Sequence, residues 1–230
     1  MIVFVDLEHE RLRLDHPDLV ERSAASRLKV KYRLEDISGE PCLIMRYHHV
    51  TPGRLRELNI KALIVSGNTT EFEHYPEETL AGLRTALQAG DWLTIAFCGG
   101  SHLLSQTYGA DIGPIGQLPL GQSAPDHPSS KLASGMFQER GFMPIRIVEP
   151  HPFFEGLGRA PVFYESHYWE TKAPPPGFKL YASTDICTVQ MIGHESQPVY
   201  ALQFHPEQWD DEHQDGRKFL ENFFKSVSDN

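Results

Sequence analysis

Thr94-Ile95-Ala96-Phe97-Cys98-Gly99-Gly100-Ser101-His102 is the stretch from which the rest of the chain can be read. A run of apolar residues suited to a buried strand passes without a spacer into a helix-forming pattern, and a cysteine stands at the junction. A nucleophile on so tight a strand-to-helix turn needs small residues two places before and two places after it. Ala96 and Gly100 fill those places, and Gly99 relieves strain between them. The free N–H groups at a helix N-terminus favour a thiolate and can hold a developing oxyanion. A buried structural cysteine at a strand end would leave the same local pattern, so this segment alone keeps both roles open.

Outward from the turn, short apolar runs alternate with helical patterns. Ile2 to Asp6, Cys42 to Tyr47, Ala62 to Val65 and Trp92 to Phe97 read as strands. Asp18 to Asp36 and Glu77 to Ala89 read as helices, the second ending at Gly90. Thr51 to Leu58 reads as a short helix, with Thr51 as its N-cap and Pro52 in its first position. Such alternation predicts an α/β fold: a mostly parallel central sheet with helices on both faces.

From Asp111 to about Gln138 the chain is rich in Gly, Pro and Ser and loses its periodicity. We read about 112–137 as an irregular insertion, either a plain surface excursion or a lid or docking loop. Pro144 to Val148, Pro161 to Glu165, Lys179 to Ser183, Cys187 to Ile192 and Val199 to Phe204 follow as strands. Their short links predict antiparallel pairing, and hence a smaller antiparallel sheet. Pro174-Pro175-Pro176 is a stiff turn. Asp215 to Ser226 reads as a terminal helix with Phe219, Leu220, Phe223 and Phe224 on its buried side. The expected organisation is one domain over 1–230.

Composition narrows the function classes. The 230 residues are 40% hydrophobic and 23% charged, which suits a packed enzyme domain. A net charge of −10 without a Lys/Arg cluster argues against nucleic acid, and Arg22 to Arg33 reads as a helix surface. No apolar run approaches the roughly 18 residues of a membrane span. The opening Met1 to Glu10 lacks the basic and apolar regions of a signal peptide. Cys42, Cys98 and Cys187 lie far apart, as free thiols in a reducing compartment would, so a cytoplasmic location is expected. His48-His49 has no second ligand pair at zinc-like spacing, and the glycines near Gly113 do not follow a strand. Neither metal nor cofactor is expected. Asp210 to Glu212 reads as a solvated helix entry, and Trp169 and Phe142 as core or as walls of a site.

A second segment, Val199 to Gln208, places His205, Pro206 and Glu207 at the end of a strand about a hundred residues after Cys98. Residues i and i+2 of an extended chain point the same way. Glu207 can then hold the His205 ring while the other ring nitrogen faces the thiol. That is the logic of a nucleophile–base–orienter triad.

With these motifs in place, the chain resembles a class I glutamine amidotransferase (triad glutaminase) domain. Its C-terminal half, Gly177 to Glu207, is most similar to the GMP-synthase type. The family's Gly-x-Cys-x-Gly-His-Gln elbow is matched by Ala96 to His102, and its Gln-Phe-His-Pro-Glu by Gln203 to Glu207. A Ser-Gly-Gly-Pro-like turn corresponds to Ser66 to Thr69, and a Ser-His segment to Ser166-His167-Tyr168. The resemblance implies a flavodoxin-like three-layer sandwich, with Cys98, His205 and Glu207 as the catalytic triad. It implies an oxyanion hole from the backbone N–H groups of Asn68 and Gly99, and substrate contacts at Gly67, His102, Ser166, His167 and Tyr168. The substrate would be glutamine or a related γ-glutamyl amide. The ammonia would pass to a separate synthetase subunit, since the sequence shows no synthetase domain, and a homo-oligomer stays open. Ser101-His102 replaces the family's His-Gln, and Asn68-Thr69 its Gly-Pro. These departures leave two alternatives: a stand-alone hydrolase of γ-glutamyl or other small amides, and a non-catalytic regulatory module.

Overall fold

The computed structural model describes residues 1–118 and 135–228. Strands β1 (Ile2–Asp6), β2 (Cys42–Arg46), β3 (Ala62–Val65) and β4 (Leu93–Phe97) alternate with helices α1 (Leu12–Asp15), α2 (Pro17–Ser38), α3 (Pro52–Glu57) and α4 (Glu77–Ala89). Helix α5 (Gly99–Thr107) leaves β4 directly through Cys98. Then come β5 (Ile112–Pro114), β6 (Glu139–Pro144), β7 (Arg146–Ile147), β8 (Val162–His167), β9 (Trp169–Thr171), β10 (Phe178–Ser183), β11 (Met191–His194), β12 (Val199–Leu202) and α6 (Asp215–Ser228).

The main sheet runs β2-β1-β3-β4-β12-β11-β10-β7. Its first five strands are mutually parallel, and the remaining three join antiparallel. Two further antiparallel pairs, β5-β9 and β6-β8, stand apart from it. Alternate side chains of the central strands enter opposite layers, as the two-residue strand period requires. Ile2, Phe4, Ala62, Ile64, Ile95 and Phe97 pack with Val30 and Leu34 of α2 and with the phenylalanines of α6. Val3, Val5, Leu63, Val65 and Ala96 pack with Leu55 of α3, Leu80, Leu83 and Leu87 of α4, and Leu103 and Leu104 of α5. Three layers result, as expected from the sequence. Phe219 lies fully buried among the rings of Phe153, Phe154, Phe163 and Phe204, which fixes α6 to the sheet.

The elbow needs its glycine. A β-carbon on Gly100 would lie 2.6 Å from the Ser66 carbonyl oxygen and 2.8 Å from that of Val65, both backbone atoms. Gly100→Ala should therefore force α5 off β3 and cost about 1–3 kcal/mol. Thermal unfolding should show a midpoint several degrees lower. An unchanged midpoint would mean that this contact is not tight.

Some expectations are corrected. Ile112–Pro114 forms β5, and Gln117 bridges Met136, so the ends of the stretch read as irregular are paired. The core of the 112–137 insertion lies outside the described residues. Pro144 to Val148 is not one strand: β6 ends at Pro144 and β7 is only Arg146–Ile147. Strands β6 and β9 escape a sequence reading because Arg140, Gly141 and Pro144 interrupt one and the other is three residues long. Their partners β8 and β5, distant in sequence, define them. The strand read at Cys187 begins only at Met191, because the Cys187 N–H is taken by the Thr184 hydroxyl in a turn.

Candidate active site

Strands β1, β3, β4 and β12 are neighbours, and their carboxyl ends lead into Glu8, Ser66 to Thr70, Cys98 and His205 to Glu207 respectively. Chain order reverses at β1, flanked by β2 and β3. In open parallel sheets this edge, at such a switch point, is where ligands bind. A cavity of about 700 Å³ opens there, lined by Cys98, Gly99, His102, Tyr168, His205 and the 66–70 turn, and on its far side by α2.

Cys98 has φ 47° and ψ −114°. Among the described residues Asn59 is the other non-glycine with positive φ. Such a conformation costs on the order of 1–3 kcal/mol and persists only where surrounding bonds dictate it. They do so here: the Cys98 N–H donates to Leu202 O at 2.7 Å, and the Ser101 hydroxyl and the His102 N–H donate to Cys98 O at 2.7 and 3.1 Å. Ser101, a departure from the family pattern, thus braces the elbow.

The His205 N–H donates to Tyr164 O at 2.8 Å, which fixes the turn after β12. The ring meets Glu207 Oε1 through Nδ1 at 2.7 Å, and it and the Cys98 thiol attract one another electrostatically. Burial opposes charge on both members of this pair. It is outweighed by their mutual attraction and by Glu207, so the thiol lies below its ordinary value and the imidazole well above its own. Both shifts favour the thiolate–imidazolium form of the pair. Arg33 of α2 donates to Glu207 O and Trp209 O, both at 2.7 Å, and lies 4.0 Å over the Trp209 ring. Arg27 of the same helix pairs with Asp6. The basic stretch read as helix surface therefore has two members turned inward.

Gly67 and Gly99 allow close approach at Cys98. A β-carbon on Gly67 would lie 3.3 Å from Cys98 Cβ, and one on Gly99 would lie 1.6 Å from Asn68 Oδ1. The Gly99 backbone N–H is among the groups that hold the Cys98 thiol below its ordinary value. Among the described residues the Asn68 N–H is taken by no protein acceptor.

The remaining candidate contacts divide. Ser166 presents its carbonyl 3.8 Å from the Cys98 sulfur, while its hydroxyl accepts from Arg140 at 3.1 Å. Tyr168 lines the cavity, and so does Trp169, whereas Phe142 stacks on His213 at 3.9 Å and does not. His102 touches the cavity, but its Nε2 pairs with Gln203 Oε1 at 2.8 Å. Burial, outweighing that bond, takes its pKa down to about 4, so the ring is neutral. The His167 ring is committed inward: Nδ1 to Trp169 O at 2.9 Å, and Nε2 to Glu139 at 3.0 Å and Glu165 at 3.2 Å. Burial lowers its pKa, but the two carboxylates win and hold it up at about 10. Glu139, His167 and Cys187 group closely enough to suggest metal ligands. However, Glu139 is already engaged by Thr184, Gln190 and His167. Sequence reasoning missed Glu8, Arg33 and Glu139, which meet the site only through pairings between distant segments, and Glu165, which pairs with His167 two residues along β8.

An elbow cysteine in a strained turn, an imidazole–carboxylate pair beside it and a parallel-sheet edge define an α/β enzyme of the cysteine amidohydrolase class. A family model described as glutamine amidotransferase class-I matches residues 37–227, and the chain belongs to that family. It is 34% identical over 179 residues to a subunit of the glutamine-hydrolysing GMP synthase of Thermococcus kodakarensis, covering 77% of this chain and 92% of that one. A solved chain from Thermoplasma acidophilum superposes with a TM-score of 0.70 at 20% identity, covering 100% of this chain and 94% of that one. A glutamine amidotransferase from Thermotoga maritima does so at 0.66 and 12%, covering 100% and 98%. No helix among the described residues is long and apolar enough to cross a membrane.

Proposed function

We propose that this chain is a single-domain glutaminase that hydrolyses the side-chain amide of glutamine and passes the ammonia to a separate synthetase subunit. The observation that carries the reading is Cys98 on its strained elbow, sharing one cavity with a His205 ring that Glu207 orients. The Cys98 sulfur adds to the amide carbonyl, and the resulting oxyanion lies against the N–H groups of Asn68 and Gly99. His205 gives its proton to the departing ammonia as the γ-glutamyl thioester forms. Water, deprotonated by His205, then adds to the thioester carbonyl, and the sulfur leaves as thiolate beside the reprotonated imidazole, releasing glutamate. Gly67, Ser166 and Tyr168 shape the substrate's seat, and the neutral His102 acts through Gln203 as part of its floor. The similarity to a GMP synthase component supports a GMP-synthase-type acceptor for the ammonia.

The test is ammonia release from glutamine by the purified chain, alone and with a candidate synthetase subunit. Slow release alone, stimulated by the partner, is expected. A glutamine-analogue diazo-ketone should add its mass to Cys98. One observation favours a second reading: a cavity of about 700 Å³ is sized for a ligand larger than free glutamine. Turnover of γ-glutamyl peptides without glutamine turnover would replace the first reading with that of a stand-alone γ-glutamyl hydrolase.

A further inference from the structure

The turn from Ser66 to Thr70 has no proline to stiffen it, and Leu7 and Glu8, which follow β1, hold it at Ser66, Thr69 and Thr70. The Leu7 N–H donates to Ser66 Oγ at 3.0 Å, and that hydroxyl donates to Gly67 O at 2.9 Å. The N–H and C=O of a trans peptide point in opposite directions. Fixing Gly67 O therefore fixes the direction of the Asn68 N–H on the other side of the same plane. The next two peptides are held by Glu8, the residue after Leu7. Its Oε2 accepts from the Thr69 N–H at 2.8 Å, and its Oε1 accepts from the Thr70 N–H at 3.1 Å and from the Thr70 hydroxyl at 2.9 Å. Glu8 is 7% exposed, so these charge-assisted bonds are shielded from water.

We propose that Glu8 is the positioning residue of the oxyanion turn: its carboxylate clamps the Thr69 and Thr70 amides so that the Asn68 N–H faces the Cys98 thiol. This rests on the reading of Cys98 as nucleophile and of Asn68 as oxyanion donor. A carboxylate near a developing oxyanion is electrostatically unfavourable in itself, so its contribution is geometric. Thr69 offers an N–H that must be satisfied inside the protein. A proline there would need no acceptor and would fix its own φ.

Three measurements on the full chain test this. Hydrogen exchange across 66–70 should accelerate about tenfold or more in Glu8→Ala, with peptides of 94–107 unchanged. This readout needs no substrate. The kcat for glutamine should fall on the order of 10–100-fold with KM little changed, as expected when an oxyanion donor is misplaced but not removed. Glu8→Gln, with one carbonyl acceptor left, should fall between wild type and Glu8→Ala. Alkylation of Cys98 by iodoacetamide, a displacement at saturated carbon that forms no oxyanion, should proceed at the wild-type rate. Adding Thr69→Pro to Glu8→Ala should recover part of kcat. Unchanged exchange, an alkylation rate that falls with kcat, or no rescue together with a lowered unfolding midpoint would each overturn the proposal. The wild-type glutamine assay keeps the two questions apart. Failure there sinks the glutaminase reading, while exchange across 66–70 still decides whether Glu8 clamps the turn.

Discussion

Replacing Cys98 with alanine should abolish amide hydrolysis, on the order of 10⁴-fold or more, and leave the protein folded. In the proposed reaction the thiol supplies the attacking atom, and no neighbouring group can take its place. Its side chain is small, and the bonds that hold its backbone, to Leu202 O and from Ser101 and His102, involve no sulfur. Alanine can therefore occupy the same strained conformation. Circular dichroism and thermal unfolding should match wild type while turnover vanishes. Loss of activity accompanied by loss of the unfolding transition would count against a purely chemical role. The other two cysteines provide the contrast. Burial pushes the Cys42 thiol up to about 12 and raises that of Cys187 as well, so both stay protonated. Cys42→Ala and Cys187→Ala should keep activity within about tenfold, a barrier change near 1.4 kcal/mol. An essential Cys42 or Cys187 would displace Cys98 as nucleophile.

His205→Asn should lower kcat by about 10²–10⁴-fold, the range for a lost general acid–base group. Glu207→Gln should cost less. An amide can still accept from Nδ1–H through its oxygen, and the Arg33 bond to Glu207 O involves only the backbone. Equal, small effects at both positions would make His205 to Glu207 a structural turn. The pH profile carries a signed version of the same prediction. The Cys98 thiol is lowered from 9.0, so the acid limb of kcat/KM, where the sulfur gains a proton, lies below that value. The His205 imidazole is raised well above 6.5, so the alkaline limb, where it can no longer protonate the leaving group, lies above that value. Iodoacetamide should alkylate Cys98 rapidly across neutrality in wild type. In His205→Asn, with its counter-charge gone and burial left to act, the alkylation rate should fall at neutral pH and rise only in alkali. A wild-type alkylation profile identical to that of a free thiol would sink the ion pair.

Much of the fold was written in short stretches. Helix Glu77–Ala89 and the terminal helix with its four buried apolar positions follow from spacing alone. The Thr51 cap, accepting from the Arg54 N–H at 3.2 Å, follows from residue type at a helix start. The elbow was legible for the same reason. Its steric demand falls within a few residues of Cys98, and Ala96, Gly99 and Gly100 are where that demand requires them. The i, i+2 geometry likewise put Glu207 beside His205 before any tertiary contact was known.

What lies across the chain from itself was not legible. Glu8 is 61 residues from Thr69, Arg33 is 174 from Glu207, and Glu139 is 28 from His167. The family pattern points His167 at substrate; it lines the cavity, while its Nε2 is held by Glu139, which β6 brings across from it. Strands β5, β6 and β9 carry weak local signals and exist because antiparallel partners pair with them. The sequence by itself determined the secondary structure of the central layers, the tight turn at Cys98 and the imidazole–carboxylate pair, because those depend on sterics and periodicity within one segment. Only the tertiary structure decided which buried carboxylate holds the 66–70 turn, which arginine holds the Glu207 carbonyl and where His102 and His167 point. Sheet order sets those pairings, and the order of strands is fixed by the packing of the whole molecule rather than by any stretch of it.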